Sequence, residues 1–244
     1  MRWVRQQVGS FFQVLHSPET AFLSEFSGPS FVVPLCILGL IGIGISVLQS
    51  PIQIEWMRFQ LEAGGTPAEQ IKSSLDMMNK SSVLTLLFTP LLLFLRWLLL
   101  ALMLWLTAVV FLDALTYKKA LTIVAYSYLP ILARDAVTCV MLLMRSDAAL
   151  RDADGMTVAL GLNLLFPSMR LPWSALAGSI NLFEIWFVTL LVVGISKAAR
   201  ATPLRALAIV LPTWVIAVVL QSALATLGHA MSAQLSERAG VSVR

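Results

Sequence analysis

Four ionisable residues lie inside long apolar stretches of this sequence, where a charged side chain is costly. Arg96, Arg134, Asp135 and Glu184 would each cost roughly 2.5–3.5 kcal/mol at the centre of a lipid-facing helix. Two are cations and two are anions, so we expect them to face one another or a water-filled space. Such a cluster is typical of a polar pathway or a proton- or ion-responsive site, and the alternative is a set of buried ion pairs that fixes helix register.

Three further polar residues extend this cluster. Asn181 precedes Glu184 by one helical turn, so the two share a face if the segment is helical. Two tyrosines near Pro130 can supply hydroxyl partners, although tyrosines also occur there as ordinary core or interface residues. The predicted intramembrane polar cluster consists of Arg96, Arg134, Asp135, Asn181, Glu184, Tyr126 and Tyr128.

The sequence carries no recognisable catalytic or metal-binding motif. It has no HExxH, no GxSxG and no glycine-rich phosphate loop. Its two histidines, His16 and His229, lie near opposite ends of the chain. Cys36 and Cys139 fall within apolar runs, where cysteine is typically a small buried hydrophobe. We therefore predict that the protein is not an enzyme and uses no metal or other cofactor.

Composition indicates the environment in which the cluster lies. Of the 244 residues, 58% are hydrophobic and only 12% are charged, whereas about a quarter of the residues of a soluble domain are charged. So much apolar surface predicts that lipid, not water, surrounds the chain. The net charge is +4, but the basic residues flank apolar runs, a pattern typical of membrane topology signals. Nucleic-acid binding is not expected.

Apolar stretches predict an all-α integral membrane protein with a bundle of five transmembrane helices. The predicted spans cover residues 31–50, 83–112, 120–144, 178–197 and 205–227. The first span has a face of small residues at which another helix can pack closely. That face is formed by Gly39, Gly42, Gly44 and Ser46.

The segments between the spans carry signals of their own. Residues 51–81 are predicted to be a polar connection, with a membrane-skimming piece, a break at Gly64-Gly65 and a separate helix over residues 67–79. Residues 156–166 are apolar but too short to cross, which predicts an interfacial or re-entrant piece.

The ends of the chain predict its domain limits and orientation. Residues 1–30 are predicted to be an amphipathic interfacial segment in which Ser17-Pro18-Glu19 opens a short helix to about Phe26. Residues 31–228 form the membrane domain and residues 229–244 a polar tail. Two short links carry five basic residues, which favours a cytoplasmic N-terminus and, with five crossings, an extracytoplasmic C-terminus. Those basic residues are Lys118, Lys119, Lys197, Arg200 and Arg205.

Short segments of the chain resemble the Yip1 family of polytopic membrane proteins. They read SPETAF at residues 17–22, YSYLP at 126–130, NLFEIW at 181–186 and GISKA at 194–198. The resemblance covers residues 17–228 and implies five helices with the same orientation. It also implies a compact, bacterial-type member of the inner (plasma) membrane. Eukaryotic members engage small GTPases through a long cytoplasmic N-terminal region, which this chain lacks ahead of its first predicted span.

The resemblance implies a scaffolding or membrane-organising role without assigned chemistry. The alternative is a small-solute or ion transporter that uses the intramembrane charged cluster. The expected partners are the lipid bilayer and other membrane proteins or a second copy of the chain.

Overall fold

The computed structural model describes residues 9, 11, 13–25, 31–111, 115–152, 155–166 and 173–238. These residues are almost entirely helical, as the sequence predicts, and a short 3-10 turn covers Leu162–Leu164. The α-helices of the described part are α1 Pro18–Glu25, α2 Val32–Ala63, α3 Ala68–Phe111, α4 Tyr117–Ser127, α5 Leu129–Leu143, α6 Asp147–Leu150, α7 Trp173–Ser179, α8 Leu182–Ala198 and α9 Pro203–Arg238.

Four helical segments are long and apolar enough to cross a membrane: Val32–Ala63, Leu86–Phe111, Tyr117–Leu143 and Pro203–Leu224. They correspond to four of the five predicted spans. The remaining predicted span, residues 178–197, is occupied by α7, a break at residues 180–181 and α8. Helix α8 has only 17 residues, whereas a crossing takes about 20.

The first two long helices begin or end well outside the predicted limits of their spans. Helix α2 passes through Pro51 and ends only at Ala63, so the predicted end of the helix at residue 50 is wrong. The helix does stop at the predicted glycine pair, because Gly65 adopts a φ of +71° that favours glycine. Helix α3 merges the predicted helix 67–79 with the second span, since no helix-breaking residue separates them.

The third span is a helix with one interruption and forms the centre of the bundle. Helices α4 and α5 are separated by Tyr128 alone, because Pro130 has no backbone N–H with which to continue the α4 hydrogen bonds. Every residue of α4 from Ala120 to Ser127 is buried. Helices α2, α3 and α8 pack around this segment, and α9 packs on α3 and α8.

Interhelical contacts show that consecutive long helices are antiparallel. A ring of α3 meets a ring of the central segment at each of two levels: Trp105 contacts Tyr117 and Trp97 contacts Tyr128. The bundle thus has two ends. The link end contains α1, the α3–α4 connection and the α8–α9 connection. The hairpin end contains the turn between α2 and α3 and the loop that follows α5.

The described part of the N-terminal segment packs against the bundle. The side chains of Phe11, Val14, Ala21 and Phe22 are fully buried in the main core, and the Phe11 ring lies edge-on to Tyr126 with centroids 5.8 Å apart. The predicted short helix forms as α1, although Phe26 lies outside the described residues. These apolar side chains face protein rather than the membrane interface.

At the hairpin end, the loop after α5 is held by the extension of α2. The Trp56 indole N–H donates to the Asp152 carbonyl at 3.3 Å, and the Arg151 guanidinium lies 4.3 Å from the centre of the Phe59 ring. Within residues 156–166 the structure has only the 3-10 turn, so the predicted interfacial or re-entrant piece is not a helix. Gly161 in this segment has extended rather than helical backbone, because it pairs with the backbone of Asn181.

Candidate functional site

A buried ion pair between the central segment and α8 forms the heart of the site. Arg134 of α5 donates through Nη1 to the Glu184 carboxylate of α8 at 2.9 Å. Its Nη2 donates to the Asp135 carboxylate at 2.8 Å. The Glu184 side chain is 10% exposed, the Arg134 side chain 23% and the Asp135 side chain 44%. The structure therefore brings three of the four charged residues together.

Local structure at the start of α8 fixes the position of Glu184. The Asn181 side chain caps the helix by accepting the backbone N–H of Glu184 at 2.9 Å, and its amide donates to the Gly178 carbonyl. Glu184 lies in the first turn of α8, at the positive end of the helix dipole, where acidic side chains are favoured. The Trp214 indole N–H from α9 donates to its other oxygen at 3.3 Å.

Arg96 lies beside this ion pair but does not join it. Its guanidinium donates to the Gln221 side-chain oxygen of α9 at 3.2 Å and lies 5.7 Å from the centre of the Tyr128 ring. Among the residues that the structure describes, no carboxylate forms a salt bridge with Arg96. The expected pairing of two cations with two anions is therefore incomplete.

The two tyrosines of the predicted cluster have different locations. Tyr128 is buried against Trp97 and Phe187 and borders the site. Tyr126 is fully buried on another side of the central segment, where it packs on Phe11, and the structure does not place it near the charges. A helix turns by about 100° per residue, so residues 126 and 128, two positions apart, point to nearly opposite sides.

Sequence reasoning missed two residues of the site, Trp214 and Gln221. Both lie on α9, which was predicted from the sequence only as an apolar span. Gln221 carried a signal, because an amide within an apolar helix needs a hydrogen-bonding partner. Trp214 gave little signal of a role in the site, since tryptophan is common in membrane helices. Neither could be matched to its partner without the tertiary structure.

A cavity of about 540 Å³, called the central cavity below, lies between α3, α5, α8 and α9. It is half open, and the charges of its wall are Arg96, Arg134 and Glu184. Gln221, Trp214 and Ser179 add polar groups. The rest of the wall is mainly apolar and includes Leu92, Leu95, Leu99, Met103, Val218 and Leu224.

A second cavity of about 310 Å³, the polar cavity, lies on the other side of Tyr128 between α2, α3 and α5. Asp135 lines it, together with hydroxyl and amide side chains that include Ser46, Gln49 and Thr138. The ion-paired residues thus separate two cavities: Glu184 faces the central cavity and Asp135 faces the polar cavity.

Metal binding has no support in the described residues, where no three His, Cys, Asp or Glu side chains come together. Cys36 and Cys139 are free thiols, the first exposed and the second buried. The arrangement can hold an anion at Arg96, whose guanidinium has five N–H groups.

Comparison with known families identifies the chain. The Yip1 domain matches residues 12–224, which is nearly the whole sequence. The chain belongs to the Yip1 family. Comparison with curated proteins and with solved structures gives no match. Membership in the Yip1 family agrees with a multi-pass membrane protein.

Proposed function

We propose that this Yip1-family protein has a membrane-organising role: it holds a lipid or a partner protein within the bilayer and catalyses no reaction. The central cavity carries this proposal. Its volume of about 540 Å³ lies in the range of ligand-binding pockets. It combines fixed charges with exposed leucines, which suit a component that itself has apolar surface.

Five crossings follow if α8 also spans the membrane. Helix α8 runs antiparallel to the central segment, since Gly194 packs on Ile123 at one level and Glu184 pairs with Arg134 at another. Its 17 residues extend about 25 Å. A helix a few ångströms shorter than the hydrocarbon core costs only fractions of a kcal/mol per ångström of mismatch, because the bilayer adapts its thickness.

The orientation follows from the charge of the link end. Glu19 pairs with Lys197 at 2.8 Å, which places α1 beside the α8–α9 connection. The same end carries Arg200 in the α8–α9 connection and Lys118, Lys119 and Arg205 in the first turn of the helices that follow the two short connections. The positive-inside rule then favours a cytoplasmic link end and N-terminus and an extracytoplasmic C-terminus. The resemblance to compact bacterial members of the family supports location in an inner (plasma) membrane.

Cysteine labelling in intact cells tests the orientation. In a chain with Cys36 and Cys139 changed to alanine, we expect Ala63→Cys at the hairpin end to react with a membrane-impermeant maleimide. Lys118→Cys is the matched position at the link end, because both side chains are exposed. It should react only after permeabilisation. The reverse pattern would invert the topology.

Purification in a mild detergent tests the membrane-organising role. We expect a defined lipid or protein to remain bound in fixed ratio to the full chain, as identified by mass spectrometry. Filling the central cavity with Ala217→Trp should release that component, whereas the exposed Ala63→Trp should not. Recovery of the parent chain with no component in fixed ratio would contradict the proposal.

Transport is the second candidate, and the polar cavity is the observation that favours it. Cavities on either side of the Arg134 ion pairs suit a solute or proton path that passes Asp135 and Glu184. Flux measurements in proteoliposomes discriminate between the two functions. Flux in the parent that disappears in folded Asp135→Asn and Glu184→Gln would favour transport. Absence of flux in the parent would favour the membrane-organising role.

A further inference from the structure

We infer that the central cavity binds the phosphate of an anionic phospholipid at Arg96, with an acyl chain along the leucines of α3 and α9. This inference rests on the membrane-organising proposal and names the class of its ligand. The charges of the cavity wall give its first support. Arg134 of the cavity wall is paired with two carboxylates, Glu184 and Asp135, whereas the charge of Arg96 has no carboxylate partner among the described residues. A phosphodiester with one negative charge would balance it.

The hydrogen bonds of Glu184 explain why it does not neutralise Arg96. One of its carboxylate oxygens accepts from Arg134 and the other from Trp214. The Asp135 carboxylate lines the other cavity and also accepts from Arg134. Arg96 instead donates to the neutral amide of Gln221 and lies near the ring of Tyr128. A guanidinium in such surroundings retains donors for an anionic oxygen, since it has five N–H groups.

The side chain of Arg96 can meet a lipid headgroup from the hairpin end. The Arg96 backbone lies ten residues, about 15 Å along the helix, from the hairpin-end limit of the span Leu86–Phe111. Gln221, its partner, lies three residues before the end of the span Pro203–Leu224, which is about 5 Å from the end of that apolar stretch. Glu184 is likewise in the first turn of α8, at the same hairpin end. Side chains on a helix lean toward its N-terminus, and the N-terminus of α3 is at the hairpin end. The Arg96 guanidinium therefore points toward the nearer membrane surface.

The apolar part of the wall suits an acyl chain. Leu92, Leu95 and Leu99 recur along one side of α3 at helical spacing, and Leu220 and Leu224 do so on α9. Exposed apolar side chains of this kind are compatible with lipid but unfavourable in water. A soluble anion would leave this surface uncovered, so a phospholipid is the better match to both parts of the cavity.

Native mass spectrometry of the purified full chain tests the inference, with phosphatidylglycerol as the anionic probe and phosphatidylcholine as the neutral one. We expect one phosphatidylglycerol to bind in preference to phosphatidylcholine. Arg96→Gln should weaken phosphatidylglycerol binding roughly ten- to a hundredfold, the range expected for loss of a charge-assisted hydrogen bond. Arg96→Lys keeps the charge and should lose less affinity for phosphatidylglycerol than Arg96→Gln does.

Two controls separate the site from bulk charge and from misfolding. Arg58→Gln removes an exposed arginine that pairs with Glu62 outside the cavity, and it should leave binding unchanged. Ala217→Trp keeps every charge but fills the cavity, and it should abolish the preference.

Three results would overturn the inference. If Arg96→Gln binds phosphatidylglycerol as tightly as the parent chain, this arginine has no role in binding. If Arg58→Gln weakens phosphatidylglycerol binding as much as Arg96→Gln does, the binding reflects general electrostatic attraction. Displacement of the lipid by glycerol phosphate at similar concentration would indicate a soluble anion. If another lipid or protein still co-purifies when Arg96→Gln has no effect, the membrane-organising proposal stands without this ligand.

Discussion

Removing the charge of Glu184 should destabilise the protein much more than removing that of Asp135, although both carboxylates accept hydrogen bonds from Arg134. Glu184→Gln removes the charge of a 2.9 Å contact whose acceptor side chain is only 10% exposed, and it leaves one acceptor oxygen for the two donors Arg134 and Trp214. Breaking a fully buried pair costs about 3–5 kcal/mol. Arg134 keeps Asp135 in this variant, so we expect a smaller loss of about 1.5–3 kcal/mol, the range for one hydrogen bond to a charged group.

Asp135→Asn is the matched control, because it changes the same chemistry at the same arginine. The Asp135 side chain is 44% exposed and faces the polar cavity. Exposed ion pairs contribute about 0–1 kcal/mol, so we expect a loss within that range. Unfolding of each variant in mixed micelles, followed by tryptophan fluorescence and titrated with a denaturing detergent, measures both free energies. Equal losses, or a larger loss for Asp135→Asn, would refute the assignment of Glu184 as the buried partner.

Three further changes test the packing that holds the site. Gly194→Ala should cost about 1–3 kcal/mol through overpacking, because a Cβ there would lie 2.6 Å from the Ile123 side chain. This loss of stability should be smaller in an Ile123→Ala background. Gly44→Ala, where a Cβ meets open space, should be neutral or stabilising in the same unfolding assay. Asn181→Ala should cost about 1 kcal/mol by removing the cap of α8, and Asn181→Ser should recover part of it; an uncapped variant of parental stability would contradict the role of the cap. Glu19→Gln should change the free energy of unfolding by less than about 1 kcal/mol, since this side chain is 65% exposed, and a larger loss would indicate a stronger attachment of α1 than the structure supports.

Much of the fold could be predicted because apolar length and helix-ending residues are local properties. The glycine pair at residues 64–65 ends α2 wherever the rest of the chain lies, since it permits a positive φ. The Asn181 cap likewise operates within one turn of α8. Pro51 shows where local reasoning fails, because it lies inside a continuous helix. A proline removes one backbone hydrogen bond, and neighbouring helices can compensate for that loss.

The candidate site was only partly predictable for a different reason. An ionisable residue in an apolar stretch signals that it needs a partner, and this rule selected Arg134, Asp135 and Glu184 from the sequence. It could not assign partners, because side chains on helices distant in sequence meet only after packing. Arg96 pairs with Gln221 across 125 residues rather than with a carboxylate.

The sequence by itself therefore determined that this chain is a helical membrane protein of the Yip1 family with charges that must avoid lipid. Local spacing, caps and apolar length are sufficient for that, because each acts within a few helical turns. Only the tertiary structure decided which charge meets which, that Arg96 has a neutral partner, and that two cavities lie on either side of the Arg134 ion pairs. Those features depend on the rotation and depth of each helix against its neighbours, which packing of the whole bundle fixes.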